Sequence, residues 1–235
     1  MVIGGKHFGQ YTYEHWFDHE YENKNPINIS LRLEEENDYS TVENLTREAF
    51  WNVYRPGCDE HLLIHNMRNT SQFIKELDYV AILNDEIFKD EIVGNIVYAK
   101  AKIFDADKEY DVITFGPISV MPKYQKKGIG KKLINHTIQR AKEMGFNAIM
   151  IYGNPKYYEK FGFKNSRGYS ITDMKGEYND ALMALELYPK ALENITGKFY
   201  EGDIYKVDKN ELEVFEKKFP PKEKLVLDTQ IFKDE

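Results

Sequence analysis

The sequence predicts an α/β fold, and three observations carry that reading. A β-branched run from Ile113 to Val120 is stopped by Pro122 and passes through Gly128 and Gly130 into a long amphipathic helix. Before it, Tyr79–Leu83, Ile92–Ile103 and a run beginning near Tyr110 read as strands in series, with Asn84-Asp85-Glu86 and Asp105-Ala106-Asp107-Lys108 as the turns between them. After it, Ala148–Tyr152 and Ala181–Tyr188 are short apolar runs of strand length, the second stopped by Pro189 and read as the final strand.

In chain order, residues 1–27 lack sustained periodicity and read as an N-terminal extension. Residues 28–33 alternate apolar and polar side chains, as a first strand does, and lead into the solvated run Glu34-Glu35-Glu36. Ser40-Thr41-Val42-Glu43 has capping-box spacing and opens a helix that turns Val42, Leu45, Ala49 and Phe50 inward. A second helix begins at Asp59 and carries Leu62, Leu63, Ile64 and Met67, with Ser71–Leu77 extending the helical region. Asn154 caps a further helix opened by Pro155. Beyond about residue 190 lies a C-terminal extension, in which Asp208 and Glu211 cap a short helix reaching Phe215 and Phe219 and stopped by Pro220-Pro221. The domain proper is read as residues 28–190, flanked by extensions 1–27 and 191–235.

Composition narrows the function classes. With 235 residues and 42% hydrophobic side chains, the chain can bury a sizeable core. A single cysteine, Cys58, excludes an internal disulfide framework and suits a reducing compartment. No stretch has the length of a transmembrane helix, and Lys6, His7, Gln10, Glu14 and His15 interrupt the N-terminus where a secretory signal needs an apolar core. The expectation is a cytoplasmic protein without a membrane partner. A net charge of −7 argues against a nucleic-acid partner bound through a broad basic face and favours a cationic acceptor. His15 with His19, and His61 with His65, have one-turn spacing, but neither pair has a third ligand at metal-site spacing, so no metal is expected.

The basic residues gather in one place. Lys126, Lys127 and Lys131 surround Gly128-Ile129-Gly130 at the start of a helix whose apolar face is Leu133, Ile134, Thr137, Ile138 and Ala141, and which Gly145 ends. First-turn amides have no internal partners and lie at the positive end of the helix dipole, so this turn suits a pyrophosphate. A Walker loop needs Gly-Lys-Ser/Thr and a dinucleotide fingerprint needs a third glycine where Leu133 stands, so neither fits.

What remains, Gln125-Lys126-Lys127-Gly128-Ile129-Gly130, resembles the Gln/Arg-x-x-Gly-x-Gly/Ala coenzyme A loop of the GNAT acetyltransferase superfamily, and Gly116–Tyr124 resembles that family's fourth strand and its exit. A second stretch, Gly153-Asn154-Pro155-Lys156-Tyr157-Tyr158-Glu159-Lys160-Phe161-Gly162-Phe163, is similar to its Phe/Tyr-Tyr-x-x-x-Gly-Phe signature, in the compact form of a YhbS-like branch. The family's usual asparagine, seven residues before the tyrosine, is here Ile151.

The resemblance implies the GNAT fold, a mixed and mostly antiparallel central sheet flanked by helices, with acetyl-CoA as cosubstrate and an amine as acceptor. It implies that the strand at Ile118, Ser119 and Val120 pairs with the pantetheine arm, with amides near Ser119 and Val120 polarising the thioester carbonyl. Gln125, Lys126, Lys127, Gly128, Ile129, Gly130 and Lys131 would hold the pyrophosphate, Asn154 would touch the coenzyme, and Tyr158 would protonate the leaving thiolate. Trp51, Tyr54, Arg55, Asp59, Glu60 and His61 are candidates for the acceptor side. The general base stays open among Glu48, Asp59, Glu60, Asp111 and His61. A homodimer is compatible with this reading, and a catalytically silent acyl-CoA sensor is the rival from another class.

Overall fold

In the computed structural model, which describes residues 27–84 and 90–232, a long antiparallel hairpin of β3 (Glu91–Asp105) and β4 (Lys108–Val120) forms the centre of the sheet. β1 (Ile29–Leu33) and β2 (Tyr79–Leu83) add antiparallel on the β3 side. On the β4 side comes β5 (Ala148–Tyr152), the parallel neighbour, followed by β8 (Leu182–Glu186) and the short β6 (Lys164–Asn165), both antiparallel. The short β7 (Ile171–Thr172) pairs with β9 (Gly197–Tyr200), which continues the β2 edge of β3 at Lys102–Phe104. A mixed, mostly antiparallel sheet with helices on both faces is what the sequence predicts.

Strand alternation decides which helix covers which face. On β3, Val97 and Ala99 turn toward α1 (Tyr39–Phe50) and α2 (Glu60–Met67), joining Val42, Leu45, Ile64 and Met67. Their neighbours Ile96 and Tyr98 turn to the other face, where Ile129, Leu133, Ile134 and Ala141 of α3 (Ile129–Glu143) pack. Each valine, leucine, isoleucine and methionine among them contributes about 1.5–3 kcal/mol on full burial. The Tyr98 hydroxyl, buried among them, is satisfied by Thr137 at 2.8 Å, which fixes α3 along the sheet.

Several local expectations give way to longer-range partners. The helix α1 does not use the Ser40 box. It starts at Tyr39 behind a 3₁₀ turn, Glu36–Asp38, where Glu35 and Asp38 cap each other. Glu43, which that box would have used, is recruited by Arg68 at 2.7 Å and His65 at 2.9 Å. Residues 71–77 do not extend a helix. Phe73 bridges Ala99 of β3 and only Lys75–Leu77 makes a 3₁₀ turn, because the segment is drawn onto the sheet edge. Leu182–Glu186 is not the last strand, since β9 follows it. The N-terminal reading, with His15 and His19, lies outside the described residues.

The C-terminal segment docks. Asp208 caps α5 (Lys209–Glu216) through the Glu211 amide at 2.9 Å, as its spacing predicts. The carboxylate of Glu216 then meets the guanidinium of Arg47, a side chain buried in α1 that also donates to Pro220 O at 3.0 Å. Farther on, Trp51 and Asn52 donate to Glu223 O, the Leu225 amide donates to Asn52 Oδ1, and Ile231 and Phe232 donate to Tyr54 O. The tail therefore runs along the connection between α1 and α2.

Candidate active site

The sheet is open where β4 and β5 should meet. They pair at a single position, Ile113 with Ile149, and then diverge. On the other side of β4, Ile96 faces Ile118 while Tyr98 faces Phe115, so Gly116 and Pro117 together oppose Val97 as a bulge. Bulge and divergence leave the β5-facing edge of residues 116–120 without a strand partner. Met121 donates to Val93 O at 2.9 Å, and alternation in an antiparallel ladder then turns the backbone groups of Ser119 toward β3 and those of Ile118 and Val120 toward the open slot. The Ser119 hydroxyl is buried against Thr46 at 3.1 Å. Thus Ile118 and Val120 line the slot, whereas Ser119 supports it from behind.

At one end of the slot lies the glycine turn. A 3₁₀ turn at Pro122–Tyr124 is held by Glu91, which bonds Lys123 and Tyr124 at 2.7 Å each. Gln125 reaches back to Val120 O at 3.2 Å, tying the loop to β4. Gly128 caps α3 at φ +81°, a left-handed conformation that favours glycine. The first amide to close a helical turn is that of Lys132, to Gly128 O at 3.0 Å, so the turn's earlier amides are those a helix leaves unpaired. A Cβ on Gly130 would lie 3.1 Å from the hydroxyl of Tyr157, which packs over this turn. Lys160 lies over the Tyr157 ring at 3.8 Å, and burial together with Lys131 lowers its pKa. The structure thus adds Lys160 to the basic residues found by sequence and Tyr157 as the ring that carries it over the turn; a lysine two residues past the tyrosine pair was the available hint.

At the slot's other end, α4 (Pro155–Tyr158) carries Tyr158. Its ring lies among Phe115 at 5.8 Å, Phe163 at 5.8 Å and Tyr157 at 5.0 Å, and against Gly153 so closely that a Cβ there would come within 2.4 Å. Burial, then the neighbouring Tyr157 and Tyr54, raise its pKa, so the phenol stays protonated well above neutral pH. Asn154 Oδ1 caps α4 through the Lys156 amide at 3.0 Å, which assigns its side chain a local task. Ile151, where the family pattern has asparagine, is a buried core residue.

The acceptor-side candidates separate into two groups. Tyr54 belongs near Tyr158, whose phenol feels its charge. Arg55 pairs with Asp59 at 2.9 Å, and burial together with Asp59 pushes Glu60 up to about 7. Trp51 stacks on Arg47 at 4.2 Å. His61 is sealed between Cys58 at 3.5 Å and Glu216 at 2.9 Å, and burial lowers its pKa. As a base candidate it is therefore walled in, while His65 is committed to Glu43. Glu48 pairs with Lys222 at 2.9 Å, and Asp111 stands exposed opposite Lys102 at the far end of the hairpin.

Sequence reasoning missed a second cluster. Tyr205 donates to Gly116 O of the bulge at 3.3 Å. Tyr152, at the end of β5, packs on Phe199 of β9 with ring centroids 5.9 Å apart. Directly after β9 comes half-buried Glu201, whose charge bears on both phenols. Burial pushes its carboxyl up to about 7. No local sequence pattern marks it, because it reaches the site only through the pairing of β9 with β3.

Comparison with known proteins agrees with this geometry. The acetyltransferase (GNAT) family model matches residues 42–163. The uncharacterized N-acetyltransferase YhbS of Escherichia coli K12 is 23% identical over 167 residues, 71% of this chain and 92% of that protein. The uncharacterized N-acetyltransferase YjhQ of the same strain is 30% identical over 108 residues, 41% of this chain and 59% of YjhQ. Among solved structures, E. coli YhbS in complex with CoA superposes with a TM-score of 0.65 at 18% identity, over 76% of this chain and 92% of that one. A Brucella melitensis GNAT acetyltransferase in complex with acetyl-CoA gives 0.58 at 21% identity, over 76% and 99%. The family model spans more than half of the chain, and this chain belongs to the GNAT acetyltransferases.

Proposed function

We propose that the chain is an N-acetyltransferase that moves an acetyl group from acetyl-CoA directly to a primary amine of a small molecule or peptide. The observation that carries this reading is the slot left by the single pairing of β4 and β5, with a helix N-terminus at one end and a half-buried phenol at the other. A pantetheine arm laid in it would bond the slot-facing groups of Ile118 and Val120 as an added strand. The pyrophosphate would lie on the amides of residues 128–131, with Lys126, Lys127, Lys131 and Lys160 nearby. The CoA and acetyl-CoA held by the YhbS and Brucella structures support the same cosubstrate here.

In this mechanism a neutral amine attacks the thioester carbonyl, the slot-facing amide of Val120 stabilises the developing oxyanion, and the C–S bond breaks. Tyr158, kept protonated by its apolar surroundings, gives its proton to the thiolate. Direct attack fits a buried Cys58 whose thiol is held in its unreactive protonated form.

Thiol release from acetyl-CoA with a panel of amines tests the reading. Tyr158→Phe should lower kcat by about 100-fold or more while CoA affinity persists. Tight CoA binding without turnover on any amine would instead favour a coenzyme-sensing module.

A further inference from the structure

We propose that Glu201, supplied by the segment after β9, receives the acceptor's ammonium group and takes its proton, so that the preferred acceptors are cationic primary amines. The proposal rests on the acetyl-transfer reading above and assigns the missing base within the same site. Two phenols on which its charge bears tie the carboxylate to the slot. Through Tyr205 it neighbours the β4 bulge, since that phenol donates to Gly116 O at 3.3 Å. Through Tyr152, on which its charge bears, it is tied to the end of β5, where the next residue, Gly153, packs on the Tyr158 ring.

The chemistry of the cluster suits a cation. Glu201 has no hydrogen bond or ion pair among the described residues, so its charge is unneutralised within the fold. The titratable groups facing it are Tyr152 from β5 and Tyr205 from the 3₁₀ turn Asp203–Tyr205, with Asp173 also facing Tyr152. Burial with the charges of Glu201 and Asp173 pushes Tyr152 up to about 12, so both phenols remain neutral and offer rings and hydroxyls to an ammonium ion. Glu60, the other carboxyl raised to about 7, is less suited. Its Oε2 accepts from the Asp59 amide at 3.1 Å, and its electrostatic neighbours are Asp59 and Arg55.

The step balances. One ammonium proton passes to Glu201, and the freed lone pair forms the C–N bond as the C–S electrons move to sulfur. The thiolate takes the Tyr158 proton, the phenolate recovers a proton from the nitrogen through water, and Glu201 releases its proton to solvent. One ammonium and one thioester become one amide, one thiol and one proton.

The test uses the full chain with acetyl-CoA and three acceptors: spermidine, phenethylamine and a tetrapeptide with a free N-terminus. Wild-type kcat/KM for the amine should rise through an acidic limb near pH 7, the pH at which the Glu201 carboxyl ionises. In Glu201→Gln, kcat/KM should fall by about 100-fold or more and that limb should vanish, while Glu201→Asp retains part of the rate. CoA affinity by calorimetry should stay at the wild-type value and the melting temperature should not fall in either variant, which separates lost chemistry from lost folding. Turnover with rate and limb unchanged in Glu201→Gln would overturn this assignment alone. Wild-type protein that binds CoA but turns over none of the three amines would overturn the acetyl-transfer reading and this proposal together.

Discussion

Replacing Gly130 with valine separates the coenzyme cradle from the fold that carries it. Gly130 lies in the first turn of α3, and its backbone conformation is open to any residue, unlike that of Gly128 at φ +81°. The space around it is not open. A Cβ would lie 3.1 Å from Tyr157 Oη and 3.9 Å from both Ile118 Cδ1 and Val120 Cγ2, and the two methyl groups of valine would enter the space a pyrophosphate needs beside the amides. Losing one charge-assisted hydrogen bond costs about 1.5–3 kcal/mol, which is roughly a 10- to 150-fold rise in the CoA dissociation constant. Stability should move little, because valine is a slightly better helix residue than glycine. Gly128→Ala should give the opposite signature: its Cβ meets nothing within 4 Å, so the cost is backbone strain of about 1–2 kcal/mol, a few degrees in Tm. Calorimetry with CoA and thermal melts on the same preparations read both quantities. Valine at position 130 binding CoA as tightly as the wild type would refute the cradle.

Other perturbations probe the remaining interior. Arg47→Ala should cost about 3–5 kcal/mol, since it leaves Glu216 and Pro220 O without their buried partner, and should release the tail to proteolysis; equal denaturation midpoints would sink this account. Cys58 should resist alkylation at pH 8 in the native protein and react readily once unfolded, because burial raises its pKa above the ordinary thiol range; a free-thiol rate in the native state would contradict it. Asp78 is raised well above the usual carboxylate range by burial and its hydrogen bond with Glu34, so the folded state holds a proton that the unfolded state releases. Its contribution to stability is present below the unfolded pKa and lost as pH rises toward the folded one. Asp78→Asn should therefore gain stability relative to wild type on going from pH 4 to pH 8, as chemical denaturation at the two pH values would report.

The parts of the site legible in sequence are those whose causes are local. Gly128 and Gly130 announce a tight turn, the lysines beside them announce an anion, and Tyr158 stands in a short aromatic helix opened by Asn154 and Pro155. The misread parts are settled at long range. Glu43 has capping-box spacing after Ser40 but is taken by Arg68 and His65, and the stretch before Leu77 has helical composition but is claimed by β3 through Phe73. Glu201 looks like any surface glutamate until β9 pairs with β3. Ser119 was legible as strand; that its hydroxyl faces α1 and its backbone faces β3 depended on a register that only the bulge at Gly116-Pro117 defines.

The tail's attachment to residues 51–57 has a consequence for biosynthesis. The link from Leu225 to Asn52 joins positions 173 apart, and those from Ile231 and Phe232 to Tyr54 are longer still. During translation the wall around Tyr54 must wait until residues 223–232, which close it, have followed the sheet out of the ribosome. A chain cut before residue 223 would leave the Asn52 side chain and the Tyr54 carbonyl without these partners, and the wall they form would stay open.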